Sequence, residues 1–367
     1  MAKSRLHELS DHGQSVWIDS LSRQWLRDGT MRKLIDEDAV VGVTSNPTIF
    51  QKALSEGDWY DDQLRELIQA EEDPREIFWQ LAVADIKEAC DLFLPIWDEG
   101  KGQDGYISLE VDPDLAYERD ATIEQALKLH GWVDKPNLFV KIPATEPGLG
   151  AIEECIARGK SINVTLIFSL ARYEAVAQAY IRGLERLVQD GGDPSPVASV
   201  ASFFVSRVDT EADKRLDAVG HQELKGKLAI ANAKLAYQRY QELFSGERWD
   251  ALAAKGATKQ RCLWASTSTK NPEYRDVMYV EELIGPETVN TMPFETIEAF
   301  QDHGVVADTL EQGIDEAQEL LEELARAGVD YDDVTDTLER EGVQKFSDSF
   351  AELLEGISAK RGELVSA

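Results

Sequence analysis

Residues 138–168 read LFVKIPATEPGLGAIEECIARGKSINVTLIF, and the fold follows from that stretch. Two short apolar, β-branched runs, Leu138–Ile142 and Ile162–Phe168, flank a segment in which Ile152, Cys155 and Ile156 recur at helical spacing. That is a strand, a helix and the next strand. The same cadence continues outward. Val16–Asp19, Val40–Thr44 and Ile107–Val111 precede it; Val200–Val205, Cys262–Ala265 and Thr288–Met292 follow. Helical spacing fills most of the gaps, as in Leu21, Trp25 and Leu34–Ile35, in Tyr173, Val176, Tyr180, Leu184 and Leu187, and in Ala229–Leu243. Strands alternating with helices build parallel β/α units. Eight of them predict an α/β protein, a single (β/α)8 barrel. An open, doubly wound sheet is the alternative, weakened because no G-x-G-x-x-G follows the first run.

The whole chain, 1–367, reads as one such barrel domain with additions. Leu64, Leu67, Ile68, Phe78, Leu81 and Ile86 mark a helical insert over about 52–100. Glu71–Pro74 and Gly191–Pro196 read as loops. Leu310, Ile314, Ala317, Leu320, Leu321 and Leu324 form one apolar stripe, and Val343, Phe346, Phe350, Leu353 and Leu354 another. These predict C-terminal amphipathic helices over about 308–360, packed on the barrel or, alternatively, binding a partner.

Composition narrows the function classes. Of 367 residues 43% are hydrophobic, enough for a large core. The net charge of −31 argues against non-specific binding to nucleic acid or anionic lipid, which need cationic surface. No apolar run approaches the roughly 18 residues of a membrane span. The first residues carry no apolar signal core, so the expected location is the cytoplasm. Cys90, Cys155 and Cys262 are widely spaced, as in a reduced protein, and neither they nor the five histidines fit a metal-ligand spacing.

In such a barrel the chemistry sits at the C-terminal ends of the strands. The polar residues there are Asp19, Thr44-Ser45-Asn46-Pro47, Ser108 and Glu110, Lys141, Asn163 and Thr165, Ser202 and Arg207. Alternation puts Ser108 with Glu110, and Asn163 with Thr165, on shared strand faces. Lys141 carries the most weight. A lysine within an apolar strand loses hydration, which disfavours its charged form. The neutral amine is a nucleophile for carbonyl carbon. Asp19 and Glu110 offer the carboxylates that imine chemistry needs as proton shuttles. A structural ion pair between the lysine and one of those carboxylates is the competing reading, and Thr44–Pro47 taken singly is a turn.

Together these segments resemble transaldolase. Gly42-Val43-Thr44-Ser45-Asn46-Pro47-Thr48-Ile49-Phe50 is similar to the family's T-[ST]-N-P signature, and Val140-Lys141-Ile142-Pro143-Ala144-Thr145 to the segment carrying its Schiff-base lysine. Ile107–Val111, Ile162–Phe168 and Ser202–Arg207 resemble further family segments in the right order. The resemblance implies a TIM barrel, no metal or organic cofactor, and transfer of a dihydroxyacetone unit between sugar phosphates. It gives Lys141 the imine, Asp19 the proton of the C4 hydroxyl, and Glu110 the proton transfers around imine formation through a water held by Thr165. Asn46, Asn163 and Ser202 would bind the three-carbon unit, with Thr44 and Ser108 in support, and Arg207 the phosphate. Many transaldolases carry Ser-Phe-Arg-Asn after strand seven. Here Ser268-Thr269-Lys270-Asn271 puts Lys270 in the arginine's place, as in a longer bacterial branch that is sometimes fused to a sugar-phosphate isomerase. No isomerase is expected in this chain. Lys270 is then a point charge for phosphate, or alternatively a solvated loop lysine. The expected partners are small sugar phosphates, with the chain a monomer or homodimer. Two other functions compete: a Schiff-base aldolase that cleaves without transfer, and an idle barrel that serves as a binding protein.

Overall fold

A computed structural model describes residues 4–69 and 73–366, the side chains beyond residue 362 excepted. Among the described residues eight strands pair in parallel: β1 (Gln14–Ile18), β2 (Val40–Val43), β3 (Ile107–Glu110), β4 (Leu138–Pro143), β5 (Ile162–Ile167), β6 (Ser199–Phe204), β7 (Arg261–Ala265) and β8 (Thr288–Met292). Each neighbours the next, and β8 returns to β1 in continuous register from Gln14 opposite Thr288 to Ile18 opposite Met292. That last pairing closes the barrel and excludes the open sheet. Asp19, Thr44 and Val111, read as strand ends, lie just past them, where the chain turns toward the following helix.

The helices bury the faces that their periodicity marks. The helix Leu170–Gln189 buries Tyr173, Val176, Tyr180, Leu184 and Leu187. At the N-terminal end of the barrel Tyr106 stacks on Phe139 at 4.1 Å, with Trp17 6.1 Å from Phe139. Gly42 in β2 lies under the Trp17 indole, where an added Cβ would come within 2.5 Å of the ring. The aromatic plug leaves the opposite end for a ligand.

The insert forms the helices Pro47–Ser55, Asp61–Leu67 and Pro74–Glu99. Of the acidic loop expected at Glu71–Pro74, Glu71 and Glu72 lie outside the described residues. A buried ion pair joins the insert to the segment after β1: Arg23 Nε donates to Asp85 at 2.8 Å, and Tyr60 Oη donates to the other carboxylate oxygen at 2.8 Å. An ion pair this buried needs its extra hydrogen bonds to offset desolvation.

The two C-terminal helices run Ile314–Arg326 and Tyr331–Ser366. Leu310 precedes the first and is buried without being helical. The second spans 36 residues and begins well before its expected stripe. It bridges the C-terminal mouth of the barrel. Near one end Glu339 pairs with Arg172, 3.2 Å away on the helix after β5. Farther along, Thr48 Oγ1 on the helix after β2 donates to Ser349 Oγ at 2.9 Å. Phe350 then packs edge-on against Phe78, 5.2 Å between centroids. Gly342 lets the helix sit low, since a Cβ there would lie 3.0 Å from Leu166 Cδ2.

Candidate active site

Lys141 sits in the middle of β4, opposite Glu110 of β3 and Asn163 of β5. The strand ends at Pro143, and Thr145 caps the next helix by accepting from Gly148 N at 3.1 Å. This fixes the residues of the Val-Lys-Ile-Pro-Ala-Thr segment by strand register and cap. Lys141 is 4% exposed. Its Nζ donates to Ser45 O at 2.9 Å and lies 3.2 Å from Glu110 Oε2. The Thr44–Pro47 turn thus supplies a carbonyl that aims the amine. Burial pushes the Glu110 carboxyl above its ordinary range, against the opposing pull of Lys141. Such a carboxyl holds a proton at a pH where an exposed one would not.

Asp19 follows β1 and faces the cavity, ringed by protein. Thr44 Oγ1 donates to Asp19 Oδ1 at 2.7 Å and lies 2.7 Å from Thr291 Oγ1. Burial raises the Asp19 pKa, while the Thr44 hydroxyl and the charges of Lys141, Arg207 and Lys270 lower it by less. The two carboxyls thus have different companions: Glu110 pairs directly with the amine, and Asp19 takes a neutral hydroxyl.

A cavity of about 1310 Å³, counting its open mouth, lies over these groups. Asp19, Thr44, Asn46, Lys141, Thr165, Ser202, Arg207 and Lys270 line it. Ser108, Glu110 and Asn163 do not; they form the layer beneath. Asn163 Nδ2 donates to Ser108 Oγ at 3.1 Å, and Ser202 Oγ donates to Asn163 Oδ1 at 2.7 Å. Asn46 caps the helix Pro47–Ser55 through its Oδ1, which accepts from Ile49 N at 3.0 Å and leaves the Nδ2 donors for the cavity. Thr165 Oγ1 is buried with no hydrogen-bond partner among the described residues, and apart from Lys141 no protein donor reaches Glu110 Oε2.

The cations stand at the outer rim. Arg207 occupies the first turn of the helix Ser206–Val219, directly after β6. Its guanidinium lies over Phe204 at 5.0 Å and Phe346 at 6.0 Å, and among the described residues it forms no ion pair. Burial draws its pKa down, although a guanidinium stays charged at any physiological pH. Lys270, on the loop after β7, donates to Ser268 Oγ at 2.6 Å. Desolvation and the nearby charges of Arg207 and Lys345 lower its pKa.

The structure adds residues that strand-end reasoning did not name. Thr291, near the end of β8, hydrogen-bonds the Thr44 hydroxyl that in turn donates to Asp19. Ser266, with φ of +57°, turns the chain after β7 and shares a hydrogen bond with Ser206 at 2.9 Å. Leu338, Glu341, Lys345 and Phe346 of the C-terminal helix form one wall of the cavity. Thr291 was open to the strand-end argument already applied to the other strands; the tail residues carry no such signal. Among the described residues no three His, Cys, Asp or Glu side chains converge as metal ligands, and no helix is long and apolar enough to cross a membrane.

Comparison with known proteins agrees with this geometry. The profile of the transaldolase/fructose-6-phosphate aldolase family matches residues 16–357. Proteins named transaldolase are similar over nearly their whole length. That of Frankia alni is 53% identical over 361 residues, 97% of each chain. That of Acidothermus cellulolyticus is 54% identical over 356 residues, 96% of each. Transaldolase 2 of Streptomyces coelicolor is 49% identical over 359 residues, 97% of this chain and 96% of its own.

Proposed function

The chain belongs to the transaldolase/fructose-6-phosphate aldolase family, and from that membership we propose how its residues carry the family's reaction. The enzyme is a transferase. It moves a dihydroxyacetone unit reversibly from sedoheptulose 7-phosphate to glyceraldehyde 3-phosphate, giving erythrose 4-phosphate and fructose 6-phosphate, through a lysine Schiff base. This is a step of the pentose phosphate pathway. It works in the cytoplasm on small sugar phosphates, as one barrel unit, monomer or homodimer.

One observation carries the reading: a buried lysine amine on the cavity floor, held between a backbone carbonyl at 2.9 Å and a carboxylate at 3.2 Å. Lys141 attacks C2 of the ketose. Glu110, its pKa raised, supplies and removes the protons that turn carbinolamine into imine and back, with a water between it and the Thr165 hydroxyl. Asp19 takes the proton of the C4 hydroxyl. The C3–C4 bond then breaks, its electrons flow into the iminium, and an enamine remains on the lysine. An incoming aldehyde is attacked by that enamine, and Asp19 returns the proton. Asn46 and Ser202 hold the three-carbon unit; Asn163, which accepts from Ser202 and donates to Ser108, orients the Ser202 hydroxyl from beneath, and Thr44 supports the rim. Arg207, at a helix N-terminus that itself favours anions, holds the phosphate with Lys270.

Borohydride trapping with fructose 6-phosphate, followed by peptide mass mapping, tests this reading. The adduct is expected on Lys141, and Lys141→Ala should lose both adduct and transfer; an adduct on another lysine sinks it. An aldolase would consume fructose 6-phosphate without an aldehyde acceptor, whereas a transferase turns over only with one. An idle barrel would leave no adduct at all.

A further inference from the structure

We propose that Lys345 of the C-terminal helix is a third cation of the phosphate site, so that the tail helix binds substrate rather than only covering the barrel. The proposal rests on the reading of Arg207 and Lys270 as phosphate ligands.

Lys345 lines the same cavity as Arg207 and Lys270 although it comes from a different element. The rotation of its helix is set by neighbours on either side. Phe346 is buried and lies 6.0 Å from the Arg207 guanidinium. Gly342, one turn earlier, rests on Leu166 at the end of β5. Lys345 therefore faces the mouth. Its charge acts on Lys270, whose pKa it helps to lower.

Charge bookkeeping at this rim is unusual for so acidic a chain. The net charge is −31, and most arginines near the barrel sit within 4 Å of a carboxylate. Among the described residues Arg207, Lys270 and Lys345 form no ion pair with any carboxylate. Three carboxylates share the cavity lining. Glu211 is engaged by Lys214 at 3.2 Å and Arg215 at 2.8 Å. Asp19 takes the Thr44 hydroxyl. Glu341 lies one turn before Lys345, yet the two are not paired among the described residues. Three converging cations, none in direct contact with a carboxylate among the described residues and offset only at longer range, as by Asp19, repel one another, and an arriving phosphate dianion relieves that repulsion. Arg207 supplies the bidentate fork, and the two lysines act as point charges from two different elements, the loop after β7 and the C-terminal helix. The consequence is selectivity for phosphorylated over unphosphorylated sugars.

The test compares Lys345→Gln, Lys345→Arg and Arg207→Ala with the parent enzyme. With fructose 6-phosphate as donor, kcat/KM is measured for erythrose 4-phosphate and for erythrose, and the inhibition constant is measured for inorganic phosphate. Lys345→Gln should lower the ratio of the two kcat/KM values roughly tenfold, mainly through KM, the size expected for one charge-assisted hydrogen bond. Inhibition by inorganic phosphate should weaken in parallel, and Lys345→Arg should recover most of both. If Lys345→Gln leaves the ratio unchanged while Arg207→Ala lowers it, the phosphate site stands without Lys345 and the proposal is overturned. Equal losses on both acceptors would make Lys345 a packing residue, which also overturns it. If neither variant moves the ratio, the phosphate site itself is misassigned.

Discussion

Replacing Asp19 by Asn should separate chemistry from stability. The Asn side chain keeps the volume, and its Oδ1 can still accept from Thr44 Oγ1, which donates to Asp19 at 2.7 Å. What disappears is the base. General base groups contribute about 10²–10⁴ in rate, about 2.7–5.5 kcal/mol of barrel-mouth chemistry, so transfer should fall by that factor. Imine formation does not use Asp19, so trapping with fructose 6-phosphate should persist. Stability should move the other way. The folded Asp19 pKa lies above the ordinary 3.8, because burial outweighs the help of Thr44, Lys141, Arg207 and Lys270. The folded state therefore holds the proton more tightly than the unfolded chain. Its contribution is fully present below pH 3.8 and is lost as pH rises through the raised folded value. At neutral pH the parent carries that loss and the variant does not. Relief of a strained functional group is typically worth about 0.5–2 kcal/mol. Unfolding entropy of about 2.1 cal/mol/K per residue converts this to about 1–3 °C in Tm for a chain this long. Single-turnover borohydride trapping, a coupled transfer assay and calorimetry read the three quantities. Trapping lost to the same degree as transfer would mean that Asp19 serves imine formation. A lowered Tm would refute the argument from burial.

Glu110→Gln should slow imine formation by about 10²-fold or more while carbon–carbon cleavage of the imine that does form proceeds, as read by single-turnover trapping against transfer; trapping at the parent rate would remove Glu110 from that role. Phe350→Ala empties a site that is 1% exposed, 5.2 Å from Phe78 and 5.2 Å under Arg75. It should cost about 3–5 kcal/mol, measured as a lower midpoint of urea unfolding; an unshifted midpoint would show that the tail helix is not held by this contact.

Strand cadence and strand-end chemistry were legible from sequence because both are local. A β-branched run declares a strand, the period declares the buried face of Leu170–Gln189, and a lysine within Leu138–Pro143 is conspicuous in an apolar run. Depth was not legible. Alternation puts Ser108 with Glu110 and Asn163 with Thr165 on shared faces, but not which residue reaches the cavity and which lies beneath it. That depends on the tilt and stagger of the closed barrel and on the irregularity in β5, where Leu166 takes a φ of +59° and register with β6 shifts. The tail shows the same limit. Its apolar stripe names the residues that must be covered, not what covers them. Only the closed fold sets Glu339 against Arg172, Ser349 against Thr48 and Phe346 near Arg207, and so carries Lys345 to the mouth. Pairing of charges is likewise a sum over neighbours distant in the chain. From the sequence alone, Arg207, Lys270 and Lys345 are three cations among 38; the tertiary structure leaves them facing one cavity without a carboxylate partner among the described residues.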